Sequence, residues 1–200
     1  MEESSLRLVE AAVELIAEKG FERTTAAEIG ERAGYSRNMV RDRYGSKEAL
    51  LESLFEEQFG RRLLPAFRRD RTGSGLELVL GQLDDLLLAV EQEPEIMKAM
   101  IVLSFEAPGP LESIRPWYED LIARYQAEMV EHLVAGRRDG SIRAELDLER
   151  EAEVFVSYGI GLCFRWVLYG DAFDFAAEIR AWRERLEASL AGGGAAQPAR

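Results

Sequence analysis

Apolar residues recur at three- and four-residue spacing along almost the whole chain, which is typical of amphipathic α-helices. The first such segment spans residues 5–18, and further ones span 76–93, 96–105, 111–135 and 172–190. In the first segment the spacing is kept by Leu6, Val9, Ala12, Val13 and Ile16. No alternating strand pattern and no internal repeat stands out in the sequence. The sequence therefore predicts an all-α fold.

Residues 24–50 carry the signals of two short helices that meet at a tight corner. Thr25 followed by Glu28 has the spacing of a capping box, which predicts a helix start. Gly34 predicts the end of that helix, because glycine adopts the left-handed conformation without a side-chain penalty, and we expect Ser36 to cap the next helix. Two helices joined in this way form a helix-turn-helix, whose second helix lies in the major groove of DNA. The segment therefore predicts DNA binding.

The faces of these helices follow from their spacing. Val40 and Tyr44 are four residues apart and should point inward, which leaves Asn38 and Asp42 on the outer face of the third helix. Gly30 is small, so we expect it to let the second helix approach the first closely.

A polar, turn-rich segment at residues 70–75, DRTGSG, separates the amino-terminal helices from the rest of the chain. Before it, Ser46 should cap a fourth helix that kinks at Pro65 or stops before it. We predict a three-helix helix-turn-helix domain at residues 1–50, with its motif at about 25–44, and a connecting helix and linker at 51–72. A second helical domain should occupy residues 73–191, and the tail at 192–200 should be disordered.

Composition narrows the class of protein. The chain has 200 residues, of which 47% are hydrophobic and 31% charged, so it is able to bury a substantial core. Its one cysteine, Cys163, excludes an intrachain disulfide framework and indicates a reducing compartment. The amino terminus lacks the pattern of a secretory signal, and the apolar run at residues 154–164 is far shorter than the roughly 20 residues that span a bilayer. We expect a cytoplasmic protein with no membrane association.

The net charge of −12 argues at first against a nucleic-acid partner, because duplex binding depends on lysine and arginine at phosphates. The charge is unevenly distributed, however. Between residues 36 and 47 the single acid, Asp42, is outnumbered by Arg37, Arg41, Arg43 and Lys47. We therefore expect a small basic tip on an acidic body that repels DNA elsewhere and so orients its approach.

The segments GFERTT, AAEIGERAGYS and YGSKEALL, within about the first 50 residues, resemble the amino-terminal signature of the TetR family of bacterial transcriptional regulators. The later segment RRDGSIRAELDLEREAEVFVSYGIGLCF resembles the less specific ligand-binding and dimerisation half of that family. The resemblance implies an all-helical homodimer with two DNA-reading heads, in which the domain at 73–191 binds a small molecule and thereby changes the spacing of the heads. Most members of the family act as repressors.

The resemblance also implies roles for single residues. Thr25 and Lys47, at the starts of the second and fourth helices, would hold phosphates, and residues 37–39 would approach bases. The residues that we predict to bind DNA are Thr25, Ser36, Arg37, Asn38, Met39, Arg41, Asp42, Arg43, Tyr44 and Lys47.

Three of these residues depart from the family pattern. Asn38 stands where glycine is common, Arg41 where a tyrosine usually touches phosphate, and Arg43 where histidine is frequent. Arginine is able to replace both phosphate contacts with stronger charge. Asp42 leaves two alternatives, since a carboxylate repels phosphate yet accepts from cytosine N4, and a bidentate contact from Asn38 to adenine is open as well.

Aromatic residues of the second half suggest an apolar, even aromatic, ligand in a cavity with few polar groups. Ordinary core or dimer packing is the better interpretation for any one of them, because aromatic side chains bury large areas whatever the function. The residues that we predict to line the ligand site are Met100, Phe105, Trp117, Tyr118, Tyr125, Tyr158 and Phe164.

Residues 147–169 are apolar on all faces between charged ends, which predicts a helix buried on every side. Together with the final helix, this segment should supply the dimer interface. The residues that we predict for that interface are Phe155, Gly159, Leu162, Trp166, Trp182 and Leu186.

Other candidate chemistry is weak. Glu128 and His132 are four residues apart and could share a metal, but two ligands do not complete a zinc site, and a solvated polar face explains them better. Cys163 lies in an apolar run, which favours core packing over redox sensing. No nucleophile–base pair, phosphate-cradling loop or catalytic carboxylate pair stands out in the sequence. We therefore expect no enzyme activity, metal or cofactor.

Two hypotheses of function remain. The first is a ligand-responsive transcriptional repressor, which binds a partly palindromic double-stranded operator as a homodimer and is released by a small-molecule effector. The alternative is a helical protein that binds a small molecule or a partner and has lost specific operator recognition. Asn38, Asp42 and the acidic net charge motivate the alternative.

Overall fold

The computed structural model describes residues 2–64 and 71–192, and over those ranges the fold is built from helices. The exception is an isolated antiparallel bridge between Ile142 and Ala191, and the described residues contain no longer strand. The predicted all-α fold is confirmed. The predicted kink or stop at Pro65 and the predicted disordered tail, apart from Gly192, lie outside the described residues.

The α-helices of the described ranges are α1 (Glu2–Lys19), α2 (Ala26–Arg32), α3 (Met39–Tyr44), α4 (Lys47–Leu54), α5 (Gly75–Gln92), α6 (Pro94–Glu106), α7 (Arg115–Asp139), α8 (Leu148–Tyr169) and α9 (Phe175–Leu190). Ser46 caps α4 by accepting from the Ala49 amide at 3.0 Å, as expected. α4 then continues into a π-helical segment, Phe55–Leu63. Short 3₁₀ turns occupy Glu112–Ile114 and Gly170–Ala172.

The chain divides into two compact units. The first consists of the described parts of Met1–Arg68 together with Ala89–Arg115, and the second of the described parts of Arg69–Leu88 together with Pro116–Arg200. The predicted head at residues 1–50 thus lies in a unit that also includes α6. The domain boundaries drawn from the sequence stay a prediction.

The first unit is built around α1. Its Leu8, Ala12 and Ile16 are fully buried, and α6, α2 and α4 all pack against it. Burial of a leucine or isoleucine side chain such as Leu8 or Ile16 stabilises the fold by about 1.5–3 kcal/mol. Leu6 was expected on the same apolar face but is 46% exposed, and the buried part of α1 begins at Leu8. The packing of α1 sets the platform on which α2 and α3 stand.

In the second unit α5 and α7 approach very closely at one end. A Cβ on Gly75 would lie 1.9 Å from the backbone nitrogen of Gly136, so only glycine fits there. The Asp139 carboxylate accepts a hydrogen bond from the Gly75 amide at 2.8 Å. At the other end of the unit, Trp182 of α9 packs on Phe155 of α8, with ring centroids 4.7 Å apart.

One face of α8 is exposed in the single chain, which differs from the predicted burial on every side. Val154 is 49% exposed and Leu168 is 58% exposed, and Phe164 lies exposed between them. The apolar pattern of this helix therefore covers more surface than the chain itself buries. No helix in residues 2–64 and 71–192 is long and apolar enough to cross a membrane.

Candidate DNA-binding site

The capping box at the start of α2 is confirmed. The Thr25 hydroxyl accepts from the Glu28 amide at 3.2 Å, and the Glu28 carboxylate accepts from the Thr25 amide at 2.9 Å. Lys19 adds an ion pair to the same carboxylate at 2.6 Å. Hydrogen bonds from Lys19 and then Thr25 hold the pKa of Glu28 at about 2. These contacts fix the direction in which α2 leaves α1.

Because the Thr25 hydroxyl also donates to Glu28, at 2.8 Å, its proton is already used within the capping box. The first two amides of α2, at Ala26 and Ala27, have no acceptor inside the helix, as at any helix start. Any phosphate at this helix end would therefore meet main-chain donors first. The predicted phosphate contact of the Thr25 side chain stays a prediction.

The turn between α2 and α3 depends on two glycines. Gly34 has φ of +79°, as expected for the residue that ends α2. Gly30 faces the turn itself, because a Cβ there would lie 2.4 Å from the carbonyl oxygen of Ser36. Gly30 therefore permits a close approach of the turn to α2, and not the approach of α2 to α1 that the sequence suggested.

The predicted N-cap at Ser36 is wrong. α3 begins at Met39, its N-cap is Asn38, and the Asn38 side chain makes no capping hydrogen bond. The carbonyl of Ser36 accepts from the Met39 amide at 3.0 Å instead. Because the backbone of Ser36 is pressed against Gly30, this stretch of chain forms a turn before the helix begins.

α3 has a buried side and an open side. Val40 is fully buried and Tyr44 is half-buried, as expected for the inward face. On the outward face Asn38, Arg41 and Asp42 are exposed. Among residues 2–64 and 71–192, these three side chains have no hydrogen-bond or ion-pair partner. The outer face of α3 is therefore available for an external partner.

Arg37, just before α3, is also exposed, and its guanidinium forms an ion pair with Glu31 at 3.2 Å. Both side chains are mostly in solvent, so the pair contributes little to stability. Arg37 is therefore able to exchange Glu31 for a phosphate or a base at small cost. Ser36 and Met39, the other predicted contacts of this stretch, are exposed and half-buried respectively.

Lys47 has a structural role that the sequence did not reveal. Its ammonium donates to the carbonyl oxygens of Phe21 and Thr24, both at 2.9 Å, and lies 3.9 Å from the centroid of the Phe21 ring. The amide of Phe21 in turn donates to Glu106 of α6 at 3.1 Å. Lys47 therefore ties the start of α4 to the link between α1 and α2, and keeps one of its three donors for another acceptor.

Arg43 is also engaged inside the chain, because its Nε donates to the Ser5 hydroxyl of α1. Sequence reasoning missed these partners of Lys47 and Arg43. Lys47 binds main-chain carbonyls, and the Ser5 hydroxyl is distant from Arg43 in sequence, so neither contact leaves a local signal. Of the four basic residues expected at the tip, Arg41 is the one whose side chain has no partner in the described part of the chain.

The residues predicted to line a ligand site are divided between the two units. Met100 and Phe105 belong to α6 of the first unit, and Phe105 is exposed. The remaining predicted residues lie in the second unit: Trp117, Tyr118, Tyr125, Tyr158 and Phe164. Phe164 points to solvent and Tyr118 is buried, so this set is not a single buried cluster.

Residues predicted for the dimer interface lie largely inside the chain. Phe155, Leu162 and Trp182 are buried, and Gly159 faces the Trp182 ring, so they pack α8 against α9 of the same chain. Trp166 and Leu186 are half-buried, and the Trp166 ring packs on Phe175 at 5.8 Å. A role for the six residues in dimerisation stays a prediction.

Four of the exposed apolar residues of α8 are Val154, Gly161, Phe164 and Leu168, here called the α8 stripe, and Ile160 and Tyr169 of the same helix are exposed as well. The sequence did contain a signal for it. Val154, Gly161 and Leu168 are spaced seven residues apart, which places them on one side of a helix.

Cys163 and His132 are two of the residues considered for redox or metal chemistry. Cys163 is buried, and burial raises the pKa of its thiol to about 12, so the expected core packing is confirmed. His132 is half-buried, not solvated as expected, and its Nδ1 is a buried atom without a partner. Burial lowers the pKa of His132. Residues 2–64 and 71–192 contain no group of three or more His, Cys, Asp or Glu that could hold a metal ion.

Comparison with known proteins agrees with this geometry. The family described as bacterial regulatory proteins of the tetR family matches residues 8–54, which include α1 from Leu8 onward and the whole of α2, α3 and α4. Two regulators of Pseudomonas putida, the probable HTH-type transcriptional regulator ArpR and the HTH-type transcriptional regulator TtgR, are each 26% identical over 187 residues, with 90% of this chain and 88% of the relative covered.

The fold is shared with a solved structure of the transcriptional regulator FadR from Bacillus subtilis in complex with stearoyl-CoA. The TM-score is 0.73 at 20% identity, with 92% of this chain and 98% of that chain covered. The likeness therefore extends beyond the matched amino-terminal residues to both units. Residues 8–54 thus match the amino-terminal model of the TetR family, and over most of its length the chain is similar to transcriptional regulators of the TetR type.

Proposed function

We propose that this regulator is a ligand-responsive repressor that binds a partly palindromic operator as a homodimer. The observation that carries the proposal is the outer face of α3, where Asn38, Arg41 and Asp42 are exposed and have no partner in the described part of the chain. In a helix-turn-helix dimer the two reading heads bind half-sites about 34–36 Å apart or at multiples of that distance.

Contacts to DNA should divide between backbone and bases. Arg41, Arg37 and the first amides of α2 are suited to phosphates, because they are exposed donors at the edge of the motif. Asn38 offers the amide that binds adenine in a bidentate manner, and Asp42 offers the carboxylate that accepts from cytosine N4. The Asp42 carboxylate also repels nearby phosphates, so α3 should be able to enter the major groove in only a small range of orientations.

The homodimer should form through the α8 stripe. Val154, Phe164 and Leu168 expose apolar area that the single chain leaves in water, and Gly161 lies between them with no heavy atom within 4 Å of the position of a Cβ. A glycine in the middle of an apolar stripe lets a second helix approach closely. The buried residues Phe155, Leu162 and Trp182 would then support this face from behind, without forming it.

The effector should be a small apolar or aromatic molecule that releases the operator. The solved FadR structure in complex with stearoyl-CoA supplies an example of a ligand bound by this fold. Only a ligand with different affinities for the two head spacings shifts their equilibrium. A bacterial operator lies in the cytoplasm, which is the location expected from the sequence.

Titration of the dimer against genomic fragments at several salt concentrations tests the proposal. Saturable, sequence-selective binding that weakens as salt rises is the expected result. Equal affinity for selected and random DNA would instead favour the alternative function, a helical ligand- or partner-binding protein without operator recognition. The exposed Asp42 on the reading face and the net charge of −12 are the observations that keep this alternative in view.

A further inference from the structure

Three buried side-chain atoms of the second unit have no hydrogen-bond partner: the side-chain oxygen of Gln82 on α5, Nδ1 of His132 on α7 and Nε of Arg143. The Arg143 guanidinium still donates to the Ser189 carbonyl through another nitrogen, so the first two are here called the orphan atoms. Gln82 is only 4% exposed, and within the described residues its amide makes no hydrogen bond. A buried polar group that lacks a partner costs free energy, so such groups in native proteins usually serve a ligand or an ordered water.

Gln58 of the first unit is also buried, and it differs from Gln82 in which amide atom has a partner. Its side-chain oxygen accepts from Arg62 at 3.0 Å, whereas its Nε2 is a buried atom without a partner. In Gln82 the oxygen itself lacks a donor, so Gln82 offers an acceptor to a ligand and Gln58 does not.

The two orphan atoms lie along the same pair of antiparallel helices. At one end, a Cβ on Gly75 would be 2.6 Å from the carbonyl oxygen of His132. Further along, Asp85 lies close enough to Tyr125 to help raise the pKa of its hydroxyl, after burial and Glu128. Both helices rise about 1.5 Å per residue, so Gln82 lies level with residues 128–129, one turn from His132.

The surroundings are apolar and offer no free positive charge. Val79 and Met129 are buried beside these positions on their own helices. Two guanidinium groups lie against α5 near Gln82, and both are paired. Arg71 lies over Gly81 and is held by the Asp85 carboxylate at 2.6 Å, and Arg183 donates to the Leu80 carbonyl and pairs with Asp84 at 3.2 Å. Burial lowers the pKa of His132, so its ring is neutral at neutral pH. An anionic group would therefore meet no unpaired cation among the described residues here.

We propose that Gln82 and His132 form the polar anchor of the effector site, and that this anchor takes an uncharged, mainly apolar molecule carrying one hydroxyl or amide group. Such a group donates to the Gln82 oxygen and exchanges a second hydrogen bond with His132. The identification of the molecule as the effector rests on the proposed function, whereas the binding site itself does not.

Matched compounds test the anchor on the full-length protein. Calorimetry with para-propylphenol, propylbenzene and para-propylbenzoate compares a hydroxyl, no polar group and a carboxylate on the same apolar body. The phenol should bind roughly tenfold or more tightly than the other two, because a site built for a hydrogen bond rejects the analogue that lacks it. Gln82→Met should remove this preference, His132→Leu should reduce it, and the control Gln58→Met should keep it.

Each other outcome overturns the proposal. It falls if the native protein binds the three compounds equally or binds none of them at millimolar concentration, and it also falls if Gln82→Met keeps the preference. In the free protein Gln82→Met should leave the unfolding temperature unchanged or raise it, since an orphan group is removed. A clear decrease would mean that an internal partner or a bound water already satisfies the amide.

Operator binding is measured separately, so the two proposals fail in different ways. If the protein prefers the phenol but binds DNA without selectivity, the repressor proposal is wrong and the anchor proposal stands. If ligands release the operator and their affinity does not depend on Gln82, the anchor proposal is wrong and the repressor proposal stands.

Discussion

The chain exposes two faces of opposite chemistry, the outer face of α3 and the α8 stripe. On α3 the exposed side chains are Asn38, Arg41 and Asp42, which water solvates well. On α8 they are Val154, Phe164 and Leu168, which water solvates poorly. A polar face stays open at little cost and exchanges water for DNA, whereas an apolar face favours permanent cover. In the proposed homodimer, the subunit contact should therefore be permanent and DNA binding the reversible step.

Phe164→Glu should have the largest effect, because it places a charge in the α8 stripe. We expect a monomer by sedimentation and a loss of operator affinity of roughly 100-fold or more, since two linked heads gain that much over one. Ile122→Glu on α7 is the matched control, because Ile122 is also an exposed apolar residue but lies outside the stripe. An unchanged dimer with Phe164→Glu would contradict the assignment of the stripe.

Gly30→Ala should disturb the head without touching either open face. The added Cβ would meet the Ser36 carbonyl at 2.4 Å, so the turn has to move. Overpacking of this kind costs typically about 1–3 kcal/mol. Chemical denaturation measures the loss, and operator affinity should fall with it because α3 follows the turn. Wild-type stability would show that the turn yields easily.

Lys47→Ala and Asn38→Ala should separate scaffold from reading face. Lys47→Ala should lower the free energy of unfolding by roughly 1–3 kcal/mol, because two buried carbonyls lose their donor, and it should lower the affinity for all DNA duplexes similarly.

Asn38→Ala should leave the free energy of unfolding unchanged and reduce the sequence preference at one base pair by roughly 1–3 kcal/mol. Equal losses on every sequence for Asn38→Ala would refute base reading by this residue.

Arg41→Ala should have a smaller and uniform effect. If Arg41 binds a phosphate, the slope of log affinity against log salt should decrease by about one, and sequence preference should stay the same. Binding isotherms at several salt concentrations check this. A change in preference at one base pair would assign Arg41 to a base instead.

Acid should weaken the start of α2. The pKa of Glu28 is held at about 2 in the folded protein by Lys19 and Thr25, below its ordinary value of 4.5. A lowered pKa contributes stability above the unfolded value, and that contribution disappears as pH falls from about 4.5 to about 2. Glu28→Gln should flatten this part of the curve of stability against pH. An identical curve for the variant would exclude Glu28 as the cause.

Local signals in the sequence predicted local structure well. The capping box of Thr25 and Glu28 and the left-handed Gly34 are encoded by residues within a few positions of one another, and both are confirmed. The N-cap at Ser36 was wrong because a contact with Gly30, outside the cap itself, decides where α3 begins. Helix ends that depend on such contacts are not readable from the cap residue alone.

Contacts between distant segments were beyond the sequence. Neither the carbonyl partners of Lys47 nor the burial of Trp182 against Phe155 leaves a periodic pattern. The periodicity of residues 147–169 did indicate an apolar helix, but an apolar residue looks the same whether it packs inside its own chain or on a second one. For this reason the sequence identified α8 as an apolar helix but did not assign its sides to the chain's own core or to a second chain.

The hydrogen bonds of Lys47 also bear on how relatives are recognised. The lysine stands in the YGSKEALL segment that marks the family, and in this chain it holds together the link between α1 and α2. Selection for a foldable head would preserve it even in a descendant that no longer binds any operator. A match to the family signature therefore indicates that the fold is inherited. Whether DNA binding is inherited has to be judged from Asn38, Arg41 and Asp42, which the fold does not need.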